Sequence, residues 1–389
     1  MRVVVVAEYY PRAADPVLGV WAHRQAVAAR DAGADVRVVV LHRPIPPRAA
    51  LLTPDPGAVV APLRQPRRAV LDGIEVRYIR YLSPPRPRWY ASWGAWAAPR
   101  LRRAMRALRP LDLVHAHYAV PAGDAVRRAV PDAPVVLSVH GGDVLGVARQ
   151  GERGRRAVSR SLQHSRLVLA NSAGTGERCR ELGAREVRVV HLGTDLPPLP
   201  PDDGERPPTL VTVGHPIARK RHGDVVRAVA ALADRHPGLR YVIVGDGPMR
   251  EAIADLAREL AVADRVELRG QLPPEQALAA ARSGRAFVLP SVDEAFGVAY
   301  VEAMAGGVPA VGCRGEPGPE EIAAAGGGIR LVAAGDVDGL TRELDRLLGD
   351  AGWAREQGAA ARATVEAAFT WDRCGRETLA AYQEALSRD

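Results

Sequence analysis

Residues 286–309, with the sequence AFVLPSVDEAFGVAYVEAMAGGVP, constrain the fold of this chain more than any other stretch. The apolar run at residues 286–289 has the length of a short buried strand, and Pro290 ends it. From Gly297 onward the apolar residues recur at spacings of three and four, which predicts a helix that ends at residues 306–309. A buried strand followed by a loop and a helix is the repeating unit of a parallel α/β sheet.

The loop of this unit carries groups that can bind a ligand. Glu294 lies in the loop, and Glu302 lies about one and a half turns into the helix. The backbone amides of Ala295, Phe296 and Gly297 lie at the helix N-terminus, where N–H groups lack an internal partner and the helix dipole attracts anions. Because open α/β sheets bind ligands at the carboxyl ends of their strands, this loop is a candidate ligand site.

The stretch resembles the signature of glycosyltransferase family 4, whose members are retaining, nucleotide-sugar-dependent enzymes with the GT-B fold. The family pattern is P-S-x-x-E-x-F-G-x-x-x-x-E-A-M-A-x-G-x-P. The positions that fit it are Pro290, Ser291, Glu294, Phe296, Gly297, Glu302, Ala303, Met304, Ala305, Gly307 and Pro309. The alternative is an ordinary strand, loop and helix with incidental glutamates, which would need this long match to arise by chance.

Length and charge limit the class of protein. At 389 residues the chain is too long for one typical core, so two domains are expected. The net charge of +8 favours anionic partners such as phosphates or acidic lipids, and argues only weakly for nucleic acid. Three scattered cysteines fit neither a disulfide framework nor a zinc site, which is typical of a cytoplasmic protein. No apolar run reaches the roughly 18 residues of a membrane span.

The first half of the chain shows the same alternation of strands and helices. Apolar runs predict strands at residues 3–7, 36–41, 112–117 and 135–139. A helix is predicted at residues 19–33, so the chain begins with a β-α-β unit. By the family resemblance, Gly19 in the loop after the first strand approaches the donor phosphates, although the usual paired glycines are reduced here to one.

Two of these strands lead into histidines. His117 ends one strand, and His140, followed two glycines later by Asp143, ends the next. Histidines and an acid can hold a metal ion, but this spacing is not that of a zinc site. The resemblance implies that His140 points at the donor sugar near its C6 hydroxyl, that His117 lies on the acceptor side or supports the site, and that Asp143 binds the acceptor or supports His140.

The resemblance also implies the domain organisation. It predicts an N-terminal acceptor-side domain at residues 1–195, a nucleotide-sugar-binding domain at residues 209–370, and a C-terminal helix at residues 371–389 that returns to the first domain. The proline-rich, acidic residues 196–208 are expected to form the linker. The implied fold is GT-B, an α/β fold with two Rossmann-like parallel-sheet domains that face each other across a cleft.

A second informative loop lies at residues 214–221. The family pattern here is G-R-L-x-x-x-K-G, in which the arginine and the lysine bind the donor pyrophosphate. This chain keeps the first glycine and Lys220, but has His215 in place of the arginine and Arg221 in place of the second glycine. Lys220 is the only lysine among 53 basic residues, which favours a need for a compact ammonium over a chance surface lysine. The second cation would come from Arg219, Arg221 or a protonated His215.

The resemblance assigns the remaining donor contacts. Gly270 and Leu272 are expected at the donor site, Glu302 at the ribose hydroxyls, and Glu294 at the sugar hydroxyls beside the anomeric carbon. It implies same-face attack in which the leaving phosphate takes the proton of the acceptor, although a covalent intermediate on Glu294 is an alternative. Lys220, Glu294 and His140 are the predicted catalytic residues.

A D-x-D sequence at residues 336–338 mimics the metal motif of another glycosyltransferase fold. It opens an amphipathic helix, so an N-cap explains Asp336 better than a metal ligand does. We therefore expect no metal site and no cofactor other than the nucleotide-sugar co-substrate.

Residues 76–111 contain nine arginines and no acid, with Trp89, Trp93 and Trp96 at helical spacing. One interpretation is an interfacial patch that docks on an acidic membrane or grips an apolar acceptor. The other is a core-facing aromatic stripe below a solvated arginine face. Pro99 is expected to interrupt the helix, which favours the second interpretation.

The predicted function is metal-independent, retaining transfer of a hexose from a UDP- or GDP-sugar to the hydroxyl of a small-molecule or lipid-linked acceptor. A nucleotide-sugar epimerase of the same architecture is an alternative, and it would change its donor with no acceptor present. A non-catalytic sugar-binding protein is a third hypothesis. We expect a cytoplasmic location with at most peripheral membrane contact and no nucleic-acid partner. The sugar, the acceptor and the oligomeric state stay open.

Overall fold

The computed structural model describes residues 1–46, 56–199 and 206–388. The chain divides into two compact units, one formed by Met1–Leu192 with Trp371–Asp389 and the other by Gly193–Thr370. The middle of the predicted linker, residues 200–205, lies outside the described residues. The residues on either side of it belong to the second unit.

The first unit is built on a sheet whose order, within the described residues, is β3-β4-β2-β1-β5-β6-β7-β8. All neighbours pair in parallel except β3 and β4. The strands are β1 (Arg2–Ala7), β2 (Asp35–His42), β3 (Arg68–Leu71), β4 (Ile74–Arg80), β5 (Leu113–His117), β6 (Val135–Val139), β7 (Leu167–Ala170) and β8 (Val187–Val189).

Side chains of β1 explain why its sequence is apolar at every position. Val4 and Val6 are buried in one core cluster, whereas Val3 and Val5 are buried in another. Because successive residues of a strand point to opposite faces, both faces of this sheet are covered. The helices in this part of the chain are α1 (Val20–Asp31), α2 (Pro56–Arg64), α3 (Trp93–Arg106), α4 (Asp124–Ala129), α5 (Glu152–His164) and α6 (Ala173–Glu181).

The second unit has a parallel sheet of order β11-β10-β9-β12-β13-β14 in the described part of the chain. Its strands are β9 (Thr209–Val213), β10 (Arg240–Val244), β11 (Val266–Gly270), β12 (Ala286–Val288), β13 (Ala310–Cys313) and β14 (Ile329–Val332). Its helices are α7 (His222–Leu232), α8 (Arg250–Glu259), α9 (Pro274–Ala281), α10 (Val298–Met304), α11 (Pro317–Ala325), α12 (Val337–Gly349) and α13 (Ala351–Ala368).

The last helix, α14 (Trp371–Ser387), belongs to the first unit, as the sequence predicted. Gln25 of α1 donates a hydrogen bond to Thr378 of α14 over 3.1 Å. A Cβ on Gly375 would lie 2.2 Å from the carbonyl oxygen of Ala28, so only glycine allows the two helices this close. The polypeptide thus closes the first unit only after the second has been completed.

Within the described residues, each sheet contains one point at which the strand order reverses. In the first unit it lies between β1 and β5, and in the second between β9 and β12. Open α/β sheets bind ligands in the crevice outside the carboxyl ends of the strands at such a point. The loops after these four strands are therefore candidate ligand-binding loops.

Two local expectations can be checked against the helices. The prediction that Asp336 is an N-cap is confirmed, because its carboxylate accepts the Gly339 N–H over 2.8 Å at the start of α12. The expectation that Pro99 interrupts its helix is wrong, because α3 continues through Pro99. Proline removes one backbone donor, and the burial of Leu101 and Met105 on the inner face of α3 offsets that loss.

Candidate active site

The reversal point of the second unit brings together two loops that are distant in sequence. Lys220 lies in the loop after β9 and Glu294 in the loop after β12, and Lys220 Nζ is 2.5 Å from Glu294 Oε2. Arg219 Nη1 is 3.5 Å from the same carboxylate oxygen, and Ser291 Oγ donates a hydrogen bond to it over 2.8 Å. An acid and two cations therefore meet where the fold is expected to bind a ligand.

Backbone hydrogen bonds fix the two loops against each other. The Val292 N–H donates to the Arg219 carbonyl over 2.9 Å. The Glu294 N–H donates to Glu316 Oε2 over 2.8 Å, so a second glutamate holds the loop from the side of α11. Sequence reasoning missed Glu316, because a lone acid before a proline carries no spacing that marks it.

Gly297 explains how the loop turns into α10. Its φ is +86°, and a Cβ there would lie 2.4 Å from the ring of Tyr300. Phe296 just before it is buried and packs against Phe369 with a ring separation of 5.6 Å. Gly297 thus enters α10 in a conformation that other residues rarely adopt, and the amides of residues 295–297, predicted to bind the donor, lie at this turn.

The charge state of Glu294 follows from its surroundings. Only 9% of the residue is exposed. Burial acts to raise the pKa of its carboxyl, but the charge and hydrogen bond of Lys220, the Ser291 hydroxyl and the charge of Arg219 together lower the pKa below its ordinary value. Glu294 is therefore ionised at neutral pH and can accept hydrogen bonds from sugar hydroxyls.

The three candidates for the second cation are not equivalent. Arg221, at φ 54°, pairs with Asp224 over 2.6 Å. His215 is exposed, and its Nδ1 donates to the Asp246 carbonyl over 2.9 Å. Arg219 alone of the three contacts Glu294 among the ion pairs of the described residues, which favours it as the partner of Lys220.

The remaining predicted donor residues lie near the neighbouring strands of the second unit and in the first unit. The carbonyl of Gly270, at the end of β11, accepts the Gly245 N–H over 2.8 Å, and Leu272 is partly buried beside Val244. In the first unit, Gly19 precedes α1 at φ +67°, and a Cβ there would lie 2.2 Å from the carbonyl of Tyr9. Gly19 therefore permits a close approach of two backbone segments.

Glu302 lies on α10, away from the contacts of Lys220. It is half-buried, and the charges that act on it are those of Arg282, which lowers the pKa of its carboxyl, and Asp195, which raises it. Burial is the largest influence and raises the pKa of Glu302 to about 7. At neutral pH Glu302 is therefore near the midpoint of its titration.

This pKa gives a testable pH dependence. We expect the affinity for a nucleotide sugar to increase between about pH 6 and pH 8, because Glu302, in the role at the ribose that the resemblance implies, must lose its proton to accept two hydroxyls. The diphosphate of a nucleotide sugar keeps its charge over this range, so the change reports on the protein. Titration calorimetry of the wild type and Glu302→Gln measures it, and the variant should show no such increase. If Glu302→Gln showed the same increase in affinity, the increase would come from another group. A decrease in affinity with rising pH would indicate a cationic group that loses its proton.

The first unit brings the predicted histidines together at its own reversal point. His117 Nδ1 and His140 Nε2 are 3.0 Å apart, and their rings stack at 5.2 Å. The other nitrogen of each ring is buried and has no hydrogen-bond partner among the described residues. The rings of Tyr118 and Trp21, which the sequence did not single out, lie 5.0 and 6.2 Å from His140.

Burial sets the protonation of this group. It lowers the pKa of His140 to about 3 and, with the charges of the neighbouring histidines, lowers the pKa of His117 well below the ordinary value. Both rings are neutral at pH 7 and can bind a hydroxyl without adding charge. Asp143 is fully buried, and its carboxylate accepts the N–H of Ala119 and of Val144 over 3.0 and 3.2 Å. Asp143 was expected either to bind the acceptor or to support His140. Its buried contacts with backbone amides favour the supporting role.

In residues 1–46, 56–199 and 206–388, no group of three or more His, Cys, Asp or Glu side chains is arranged to hold a metal ion. Metal independence stays a prediction.

Comparison with known proteins identifies two family models along the chain. The model described as Glycosyltransferase Family 4 matches residues 18–197, and that described as Glycosyl transferases group 1 matches residues 201–364. A D-inositol 3-phosphate glycosyltransferase of Nocardiopsis dassonvillei is 30% identical, over 70% of this chain and 70% of that protein. An MMP α-(1→4)-mannosyltransferase of Mycolicibacterium hassiacum is 29% identical, over 60% of this chain and 57% of that protein.

Solved structures resemble the whole fold. Sucrose-phosphate synthase from Thermosynechococcus elongatus has a TM-score of 0.77 at 19% identity, with complete coverage of both chains. Anabaena HepE in complex with UDP and glucose has a TM-score of 0.72 at 17% identity, over 99% of this chain and 100% of that chain. Fold and site together define a GT-B glycosyltransferase that uses a nucleotide-sugar donor. The chain belongs to glycosyltransferase family 4.

Proposed function

We propose that this protein is a retaining hexosyltransferase that uses a UDP-sugar and transfers the sugar to an acceptor hydroxyl without a metal ion. The observation that carries the proposal is the contact of Lys220 and Arg219 with Glu294 at the reversal point of the second sheet. A pair of cations beside an ionised acid suits a ligand that carries a diphosphate next to a polyhydroxylated ring. UDP is favoured over GDP because the structural relative HepE binds UDP.

The proposed chemistry follows the charge that develops as the bond from the anomeric carbon to phosphate breaks. Negative charge grows on the nucleoside diphosphate, where Lys220, Arg219 and the amides of Phe296 and Gly297 would stabilise it. Preorganised donors of this kind typically contribute roughly 3–4 kcal/mol each to the transition state. Glu294 would hold the sugar hydroxyls while the acceptor attacks from the face of the leaving group and gives its proton to the leaving phosphate.

A thermal-shift screen of UDP, UDP-sugars, GDP and GDP-sugars tests this proposal, because a ligand that binds only the folded state raises the unfolding midpoint. We expect UDP-sugars to raise it in the wild type and to raise it less in Lys220→Met. An absence of any shift with all nucleotides would contradict the proposal. Conversion of the donor to another sugar with no acceptor present would identify an epimerase, and binding without turnover would identify a sugar-binding protein.

Metal independence gives a separate prediction. Activity is expected to survive a chelator, because Asp336 of the D-x-D sequence caps α12 through the Gly339 N–H. The assay compares transfer with and without the chelator, alongside a metal-dependent glycosyltransferase as the control. Full loss of transfer that magnesium or manganese restores would overturn this prediction.

The three tryptophans of residues 76–111 differ in burial, so each of the two interpretations of this segment fits part of it. Trp93 is buried, whereas Trp89 and Trp96 are 41% and 52% exposed. Arg86 pairs with Glu8 over 2.8 Å, but Arg103 and Arg106 of α3 are exposed. Within the described residues no helix is long and apolar enough to span a membrane. We propose a peripheral contact of this surface with anionic lipid, in which two exposed indoles accompany the arginines.

The lipid contact predicts salt-sensitive binding to vesicles. Each basic residue near an anionic surface contributes about 1 kcal/mol, so binding should be strong at low salt and weaken as the Debye length shortens. Sedimentation with anionic and with neutral vesicles measures it, and Trp89→Ser combined with Trp96→Ser should weaken it. Trp353→Ser, in the second unit, is the control. Failure of the wild type to sediment at low salt would favour a soluble acceptor.

A further inference from the structure

Three arginines that the proposed transfer does not use converge at the carboxyl edge of the first sheet. Arg12 follows β1, Arg43 follows β2, and Arg86 follows β4. Arg86 Nη2 donates to Glu8 Oε1 over 2.8 Å, and Arg12 Nη2 donates to the Glu8 carbonyl over the same distance. Arg43 Nη2 donates to the carbonyl of Ser83 over 3.1 Å.

Positive charge exceeds negative charge in this cluster. Glu8 is buried, and one of its carboxylate oxygens is bound by Arg86 while the other accepts the hydroxyl of Tyr90 over 2.7 Å. The charge of Asp15 also acts on Arg12, but more weakly than that of Glu8. Arg12 and Arg43 are both partly buried, and burial lowers the pKa of each guanidinium. A cation withdrawn from water favours an anionic partner.

Buried donors in the same place lack an acceptor. Tyr81 and Ser83 are 4% and 9% exposed, and neither hydroxyl has a hydrogen-bond partner among the described residues. The same is true of Nε of Arg12 and of Arg43. The charge of Glu8 raises the pKa of the Tyr81 hydroxyl and the charges of the three arginines lower it, so all four groups lie within electrostatic reach of this hydroxyl. A buried donor left without a partner costs about 1–3 kcal/mol, so several in one cluster call for a ligand.

We propose that Arg12, Arg43, Tyr81 and Ser83 bind a phosphate ester of the acceptor. This inference rests on the proposed function, because it gives the chemical class of the acceptor for that transfer. A phosphate offers several acceptor oxygens in a tetrahedral arrangement, which suits donors that approach from three different loops. A planar carboxylate offers two oxygens and would leave some of these donors without a partner.

The position of the cluster connects it to His140 in the same unit. The Arg86 guanidinium lies 5.7 Å from the ring of Tyr9, which is 5.0 Å from Tyr118. Tyr118 lies 5.0 Å from His140. A continuous row of aromatic contacts therefore leads along the carboxyl edge from the arginines to His140. An acceptor held by its phosphate at the arginines would extend along this row toward His140.

Inorganic phosphate is the probe for the test, titrated by calorimetry at constant ionic strength in the presence of excess UDP, which occupies the donor loop. We expect phosphate binding by the wild type and at least about tenfold weaker binding by Arg43→Met. The control is Arg77→Met, which changes a partly buried arginine of β4 in the same sheet and should leave the affinity unchanged.

Tyr81→Phe separates ligand binding from a structural role. Removal of a buried hydroxyl without a partner should leave the thermal midpoint of the free protein unchanged or raise it. The same change should weaken phosphate binding, because the ligand loses a donor. A structural role alone would not lower the affinity while sparing the midpoint.

The outcomes separate this inference from the proposed function. Equal phosphate affinity in the wild type, Arg43→Met and Tyr81→Phe would overturn the phosphate subsite, whatever UDP does. If acetate competed as tightly as phosphate, the ligand would be a carboxylate and not a phosphate ester, and the assignment would be overturned. Failure of UDP to bind would contradict the proposed donor, while phosphate binding that Arg43→Met removes would still support the subsite.

Discussion

Lys220→Met is expected to lower the turnover number at saturating donor by about two orders of magnitude. The loss corresponds to roughly 3 kcal/mol of transition-state stabilisation, as for the removal of other preorganised donors. The ammonium lies 2.5 Å from Glu294 Oε2, in the loop where the leaving diphosphate would gain charge. Steady-state kinetics with a UDP-sugar measures the effect, which should fall more on turnover than on the Michaelis constant.

Lys220→Met is also expected to change the stability of the protein, and this effect has to be separated from the effect on turnover. Without Lys220, the largest influence that opposes burial is lost and those of Ser291 and Arg219 remain, so the pKa of the Glu294 carboxyl should rise. Breaking a buried ion pair costs about 3 kcal/mol or more of unfolding free energy. Lys220→Met combined with Glu294→Gln should recover much of that stability without recovering turnover. Arg235→Met, an exposed ion-pair change in the second unit, is the control, and unchanged turnover in Lys220→Met would remove Lys220 from the mechanism.

Glu294→Gln is expected to lower kcat/KM by two to three orders of magnitude, or about 3–4 kcal/mol. The amide is nearly isosteric, but it replaces one acceptor oxygen by a donor and removes the charge that Lys220 and Arg219 face. Hydrogen bonds to charged groups contribute about 1.5–3 kcal/mol each, and both the sugar hydroxyls and Lys220 lose one. Kinetics under substrate-limited conditions gives the value directly.

The control for Glu294→Gln is Glu316→Gln. Glu316 accepts the Glu294 N–H, and the amide oxygen of a glutamine there should retain that hydrogen bond, so this change should cost much less activity. Mass spectrometry of the wild type with donor and slow acceptor tests the covalent alternative. A glycosyl group trapped on Glu294 would contradict same-face attack and make this carboxylate a nucleophile.

The pattern of residues 286–309 determined the strand, the loop and the helix that carry Glu294 and Glu302. Apolar periodicity sufficed for this, because strand and helix bury characteristic faces and the glycine at 297 marks the turn between them. Family resemblance predicted the return of α14 to the first unit, and local chemistry predicted the cap by Asp336. The local prediction that Pro99 interrupts its helix was wrong, because Pro99 lies inside α3, where packing outweighs one lost backbone hydrogen bond.

Apolar periodicity predicted the alternation of strands and helices, and the resemblance of short fixed spacings to a known family indicated the family and its GT-B fold. The roles of the donor-site residues stay predictions. Only the tertiary structure decided which side chains meet. Parallel strands carry residues far apart in sequence to one edge, so Lys220 contacts Glu294 across 74 residues, and Arg219 rather than Arg221 joins them. The convergence of Arg12, Arg43 and Tyr81 likewise depends on the order of β1, β2 and β4 in the sheet, which no local pattern encodes.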